Sequence, residues 1–257
     1  SNIKKEYLLD FEKIEKNVSV LKEKIMVGTS KLNYLVNIEK ENEGYYKSVK
    51  SALEYSKSNS RVYGTLASLI STKEEYEYAI EIALGGYIQN IVVESENEAK
   101  NIISYLKEKS LGRATFLPLT SIKDIRFDLK SKASKCEGYI AVASELVKYD
   151  KKYFKAINLS LGTTVIVDTI DNAIKMSKVL KNSVRIVTLA GELISATGSI
   201  TGGQTAKSKS GLIGRSEKIE NLKESISKDE NEYNEIATKM NEIKMKIDSV
   251  ESILEEN

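Results

Sequence analysis

Apolar residues recur in alternating steps of four and three from Tyr7: Tyr7, Phe11, Ile14, Val18, Leu21, Ile25, Gly28, Leu32, Leu35, Glu39, Asn42, Tyr46, Val49 and Leu53. All but Gly28, Glu39 and Asn42 are apolar, and the register never slips. The same walk at the other end visits Ile219, Leu222, Ile226, Asp229, Tyr233, Ile236, Met240, Ile243, Ile247, Val250 and Leu254, with Asp229 the one polar member. Positions between are mostly Lys, Glu, Ser and Asn. A mean spacing of about 3.5 residues draws a narrow stripe that buries against another helix in a left-handed supercoil. A wider amphipathic face packed on a globular core is the alternative. Proline-free runs of this length favour the coiled coil. The two arms leave one intervening domain, so their chain directions oppose. They are expected to pair antiparallel within one chain, over about 50 Å. Both seams run out at a chain terminus, so the chain is expected to be a piece of a longer coiled-coil protein. The arms are assigned to residues 1–57 and 217–257.

Between about Arg61 and Gly203 the period changes. Short β-branched runs, Ile88–Val93, Thr163–Val167 and Arg185–Leu189, alternate with helical stretches at Lys73–Leu84, Glu96–Lys107, Lys151–Leu159 and Asp171–Leu180. This alternation predicts an α/β or α+β sheet domain. Ser95 and Thr169 or Asp171 suit helix N-caps. Leu84-Gly85-Gly86 and Leu161-Gly162 suit helix C-caps.

A repeat underlies the pattern. Tyr76, Ala79, Ile80, Leu84 and Gly85 have counterparts at Tyr153, Ala156, Ile157, Leu161 and Gly162. Ile91-Val92-Val93-Glu94 matches Val165-Ile166-Val167-Asp168, and Arg113–Leu117 echoes Arg185–Leu189. Two related subdomains are expected, at 58–120 and 136–203. A basic, polar linker at 121–135 joins them, and a connector at 204–216 follows.

Composition narrows the chemistry. The 257 residues include no His and a single Cys, Cys136. Lack of His removes the commonest general base, the Ser-His triad and the commonest metal ligand. One cysteine allows neither an internal disulfide nor a cysteine-rich zinc site, which fits a reducing cytosol. No apolar stretch approaches the roughly 20 residues needed to span a bilayer. No catalytic residue and no metal ligand is assigned.

Gly198-Ser199-Ile200-Thr201-Gly202-Gly203 is the most glycine-dense stretch. Freed backbone N–H groups there could cradle a phosphate. However, no Lys-Ser/Thr follows, and the dinucleotide-binding spacing is missing. The other reading is a close backbone approach where chains meet. Cations gather at Lys123, Arg126, Lys130, Lys132 and Lys135, at Lys148, Lys151, Lys152 and Lys155, and at Lys207, Lys209 and Arg215. Net charge is only +2, so affinity for nucleic acid would have to come from such clusters. Solvated surface is the alternative for each.

Several runs together resemble one family. They are Val62–Ile70, Tyr76-x-x-Ala79-Ile80-x-x-Ala83-Leu84-Gly85-Gly86, Ile91-Val92-Val93, Gly112–Leu119, and Arg185-Ile-Val-Thr-Leu-x-Gly191-Glu-Leu-Ile through Gly198–Gly203. In this order, with Glu43–Lys50 as a leading helix and heptad arms on both sides, the chain resembles the hinge domain of bacterial SMC chromosome-partition and condensation proteins. The resemblance implies a two-subdomain hinge at the tip of an antiparallel coiled coil, pairing with a second hinge to close a ring. It implies a homodimer contact at Gly198, Ser199, Thr201, Gly202 and Gly203. It also implies DNA as a secondary, non-sequence-specific partner. The lysines that clustering offers for this are Lys148, Lys151, Lys152, Lys155, Lys207 and Lys209, with Arg215. No cofactor and no enzymatic activity are expected of these residues. In the family, ATP, magnesium and kleisin-type subunits belong to head domains at the far end of the coils. The expected location is cytoplasmic, on the nucleoid. A module that mainly binds DNA, with dimerisation secondary, is the competing reading.

Overall fold

The computed structural model describes residues 2–125, 128–203 and 211–255. The chain divides into two compact units: Ser1–Glu41 with Ser216–Asn257, and Asn42–Arg215.

The first unit is a pair of long helices, α1 (Asn2–Lys40) and α8 (Arg215–Glu255). Their cross-contacts run in opposite senses along the chain. Glu39 meets Ser216, Gly28 meets Ile226, Lys24 meets Asp229, Tyr7 meets Lys246 and Lys4 meets Glu251. The pairing is therefore antiparallel, as the opposed arms require. Val18, Leu21, Ile219, Ile226 and Ile247 of the seam are buried. Gly28 leaves room for its neighbour, since an added Cβ would lie 3.1 Å from Ile226 Cγ1.

The N-terminal seam does not continue to Leu53 as one helix. α1 stops at Lys40, a turn follows with Asn42 (φ 48°) and Gly44 (φ 92°) left-handed, and the chain restarts as α2 (Lys47–Tyr55) in the other unit. The break falls where Glu39 and Asn42 occupy consecutive seam positions and deprive the stripe of apolar layers. Val49 and Ala52 of α2 instead pack with Ile91, Val93, Ile102 and Leu106 of the globular unit. For this segment, the wider face on a globular core is what formed.

The second unit contains the same succession twice. First come β1 (Val62–Thr65), β2 (Ser71–Thr72), α3 (Glu74–Leu84), β3 (Ile91–Val93), α4 (Glu96–Glu108) and β4 (Phe116–Pro118). After the short α5 (Lys130–Ala133) come β5 (Tyr139–Val142), β6 (Val147–Lys148), α6 (Phe154–Leu161), β7 (Thr164–Val167), α7 (Ile170–Val179) and β8 (Arg185–Thr188). Pairing is duplicated too. β1–β3 is antiparallel and β3–β4 parallel; β5–β7 is antiparallel and β7–β8 parallel. Even the irregularity recurs, between Val62 and Gly64 in one copy and Tyr139 and Ala141 in the other. The second copy is extended by β9 (Leu193–Ile194) and β10 (Ile200–Thr201), giving the order β10-β9-β8-β7-β5.

The copies share one buried cluster, and each has a further cluster of its own. β2 pairs antiparallel with its counterpart β6. Ala79, Ile80, Ala83 and Leu84 of α3 join Ala156, Ile157 and Leu161 of α6 in a single buried cluster. β3 and β7 are buried along their full length, as their unbroken β-branched runs require. The helices that follow are capped alike. Ser95 and Glu98 form a capping box at α4, and Thr169 Oγ1 accepts from Asn172 N at α7. The two Leu-Gly sites differ. Gly85 is left-handed (φ 49°), whereas Gly162 stays right-handed (φ −68°) with Asn158 against the place a Cβ would take.

Candidate self-association edge and basic face

The glycine block forms the outer edge of the longer sheet. β9 and β10 are a hairpin with Ile194 opposite Ile200 and Leu193 opposite Thr201. Its turn closes through Ser195 N donating to Ser199 O at 2.9 Å and Gly198 N donating to Ser195 O at 3.0 Å. Ser195 Oγ also accepts from the backbone N–H groups of Thr197 and Ser199. Gly198 takes φ 86°, a conformation that side chains oppose.

This hairpin is anchored to the core on one side only. Ile194 is buried, while Ile200 directly opposite is 58% exposed. The turn before β9 sits tightly on the first copy, because Gly191 (φ 91°) lies where a Cβ would strike the Tyr78 ring. β10 ends the strand order, so its outer backbone groups meet no further strand among the described residues. Gly202 and Gly203 follow. A Cβ on Gly202 would reach only the Glu192 side chain at 3.0 Å, and one on Gly203 would meet nothing within 4 Å. Within the single chain, then, one flexible side chain is all that crowds these two glycines. Gly198, Ser199, Thr201, Gly202 and Gly203 are all exposed and contiguous. The edge as a whole combines an outer strand with no further partner among the described residues, an exposed Ile and a glycine exit.

The cations expected to meet nucleic acid are not alike. Lys148 lies on β6, Lys151 and Lys152 in the turn that leads into α6, and Lys155 in the first turn of α6. Lys148, Lys151 and Lys152 are exposed and Lys155 is half-buried. Lys152 is also engaged locally. Its ammonium sits 4.9 Å from the ring centres of both Tyr63 and Tyr153, and 3.9 Å from Asp150. Hydrogen bonding to Tyr153 holds its pKa above the ordinary lysine value. Lys207 and Lys209 lie outside the described residues, as does Arg126. Arg215 is buried at 3% exposure; its Nε donates to Gly211 O at 3.0 Å and Nη2 to Glu43 O at 3.1 Å. It ties two backbone segments together inside the second unit and presents no cation to a surface ligand.

One structural arginine escaped the sequence reading. Arg185, noted only as a strand start, reaches from β8 to the end of α3, donating to Ala83 O at 3.0 Å and Ile82 O at 3.4 Å. It thereby satisfies carbonyls freed at a helix C-terminus. Burial lowers its pKa from the ordinary arginine value. Among the described residues no cluster of metal-ligating side chains occurs, and no helix is long and apolar enough to cross a membrane.

Comparison with known proteins agrees with this architecture. Residues 59–177 match the family described as the SMC proteins flexible hinge domain. The chain is 36% identical over 255 residues to the chromosome partition protein Smc of Clostridium kluyveri, covering 88% of this chain and 22% of that protein. It is 38% identical over 213 residues to Smc of Bacillus subtilis, covering 81% of this chain and 18% of that protein. It therefore spans about a fifth of the length of these curated relatives. An asymmetric dimer of the Geobacillus stearothermophilus SMC hinge domain aligns with a TM-score of 0.82 and 29% identity, covering 94% of this chain and 98% of that one. The Pyrococcus furiosus SMC hinge domain aligns with a TM-score of 0.52 and 34% identity, over 72% of this chain and 89% of that one. A duplicated α/β unit between two heptad helices, matched in sequence and in fold, places this chain in the family of SMC hinge domains.

Proposed function

We propose that this chain is the homodimerisation hinge of an SMC protein acting in chromosome partition, and that its principal partner is a second copy of itself. The observation that carries this is the free edge of β10, with exposed Ile200 running into Gly202 and Gly203. An unpaired strand edge offers a row of backbone donors and acceptors to another chain, and glycines let that chain approach closely. The dimeric state named for the Geobacillus stearothermophilus hinge domain supports the reading. The solution mass of the chain, compared with a Gly202→Glu/Gly203→Glu variant, tests it.

The reading extends to a non-catalytic role on the nucleoid in the cytoplasm. ATP, magnesium and kleisin-type partners would act at other segments of the longer protein. DNA binding is a secondary part of the proposal. Exposed Lys148 and Lys151, with Lys155 beside them, form the surface for it. Contacts of this kind are electrostatic, so affinity for duplex or single-stranded DNA should fall steeply as salt rises. Undiminished binding by a Lys148→Gln/Lys151→Gln/Lys155→Gln variant would remove this face from the account.

A further inference from the structure

A groove on the second copy, whose rim at Asn182 abuts the hairpin turn at Gly198, has no role in the reading above. It lies between the α5 region and the C-terminal end of α7. Lys132, Lys135, Lys175 and Lys181 line it around Cys136, Val179 and Leu180, and its volume is about 750 Å³. That size suits a small-molecule ligand.

The charge balance of the groove is one-sided. Glu137 is its one carboxylate, and Lys175 already engages it at 3.1 Å. Lys132, Lys135 and Lys181 are exposed and pair with no acid among the described residues. Three ammonium groups with no acid partner among the described residues thus line one concavity. The rim is also shaped by unusual backbone. Lys181 (φ 53°) and Asn182 (φ 51°) are consecutive left-handed residues that turn the chain sharply at the end of α7. Asn182 tolerates this conformation, whereas Lys181 takes it against its intrinsic preference. It is fixed by Lys181 N donating to Lys178 O and Asn182 N donating to Ser177 O. These bonds also occupy carbonyls at the helix end, whose partial negative charge would otherwise oppose an anion there. Val179 is 66% exposed and gives the groove an apolar wall.

We infer that this groove binds an oligophosphate, a compact anion carrying several charges. Lysines act on phosphate as point charges from flexible stems, and several of them around one concavity suit a short phosphate chain better than a single carboxylate. Such a chain occurs in inorganic polyphosphate and in nucleotides, and the apolar wall could seat the base of the latter.

Calorimetric titration of the full chain with tripolyphosphate, ATP and AMP at fixed ionic strength tests this, using Lys132→Gln/Lys135→Gln and Lys181→Gln variants. A Lys100→Gln/Lys107→Gln variant, at exposed lysines of α4 in the other copy, controls for general surface charge. Saturable one-to-one binding of tripolyphosphate, weakened about tenfold by the groove variants and unchanged in the control, is the expected result. Tighter binding of ATP than of tripolyphosphate would identify a nucleotide, and equal binding would identify the phosphate chain alone; both support the site. Absence of saturable binding, equal loss in groove and control variants, or binding confined to DNA oligonucleotides would overturn it. Thermal unfolding of each variant without ligand verifies that the fold is intact.

Discussion

Lys24 Nζ lies 2.7 Å from Asp229 Oδ1 across the two long helices, where α8 carries the one polar residue of its seam. Asp229 is only 8% exposed. Its neighbour in the next layer is the Gly28–Ile226 contact. A strict heptad stripe tolerates slides of seven residues, because every apolar layer then meets another apolar layer. A lone polar residue in the seam removes that tolerance. A small residue opposite a large one does the same. The bond to Asp229 also raises the Lys24 pKa above the ordinary lysine value.

Removing one partner strands a buried carboxylate, whereas replacing both removes the need for pairing. Lys24→Met is therefore expected to lower the melting temperature of the arms. Lys24→Met/Asp229→Leu should recover the loss and admit additional registers. Thermal unfolding reads the first effect. Disulfide formation between cysteines placed at Leu32 and Leu222, in a Cys136→Ser background, reads the second.

Ile80 and Ile157 are counterparts in the two copies, both fully buried in the shared cluster. Truncation to Ala should cost about 3 kcal/mol at either position. Since the cluster belongs to both copies, each variant should shift the same cooperative transition in urea. Two separated transitions would mean that the copies unfold independently.

Arg185 supports the end of α3 from the neighbouring sheet. Arg185→Met should destabilise the fold by about 1–2 kcal/mol, and Arg185→Lys should retain part of that. Chemical denaturation measures both.

Three carboxylates near the N-termini of α4 and α7 are held below their ordinary values. Hydrogen bonding from Ser95 does this for Glu98, from Ser121 for Glu96, and from the Asn172 amide for Asp168. Each folded-state pKa lies below its unfolded value. The stabilisation is thus complete above the ordinary carboxylate range and lost as pH falls through the folded values. Melting temperature should begin to drop near about pH 5 and continue to drop below about pH 4. Glu98→Gln should flatten part of this slope without moving the neutral-pH baseline as far as Ser95→Ala does.

Local signals were legible in the sequence. Ser95 and Thr169 cap the helices they precede, and the β-branched runs at Ile91–Val93 and Thr164–Val167 are buried strands. The repeat was legible because equivalent positions carry equivalent side chains. Less legible was anything set by distant backbone. Arg215 stands in a stretch of Ser, Gly and Lys that reads as solvated, yet its ligands are carbonyls of Gly211 and the remote Glu43. Gly162 follows Leu just as Gly85 does, but Asn158 packing, not a left-handed turn, occupies its surroundings. The end of α1 was written in Glu39 and Asn42, two successive polar seam positions that the continuing register at Tyr46 and Val49 obscured. The glycine block was visible as a place of close approach; that it forms the outer edge of the longer sheet follows from strand order, which no local motif encodes.

Pairing of two copies is proposed to run through β10 and its glycines. Multi-angle light scattering at micromolar concentration tests it most directly, comparing the unaltered chain with Gly202→Glu/Gly203→Glu. Only Glu192 stands near Gly202, and Gly203 has open space but a φ of 123° that strains any side chain, so circular dichroism and thermal unfolding verify that the variant is folded. The account predicts twice the mass of one chain for the unaltered protein and a folded, single-chain mass for the variant. A monomer in the unaltered protein, or a dimer untouched by both substitutions, would contradict it.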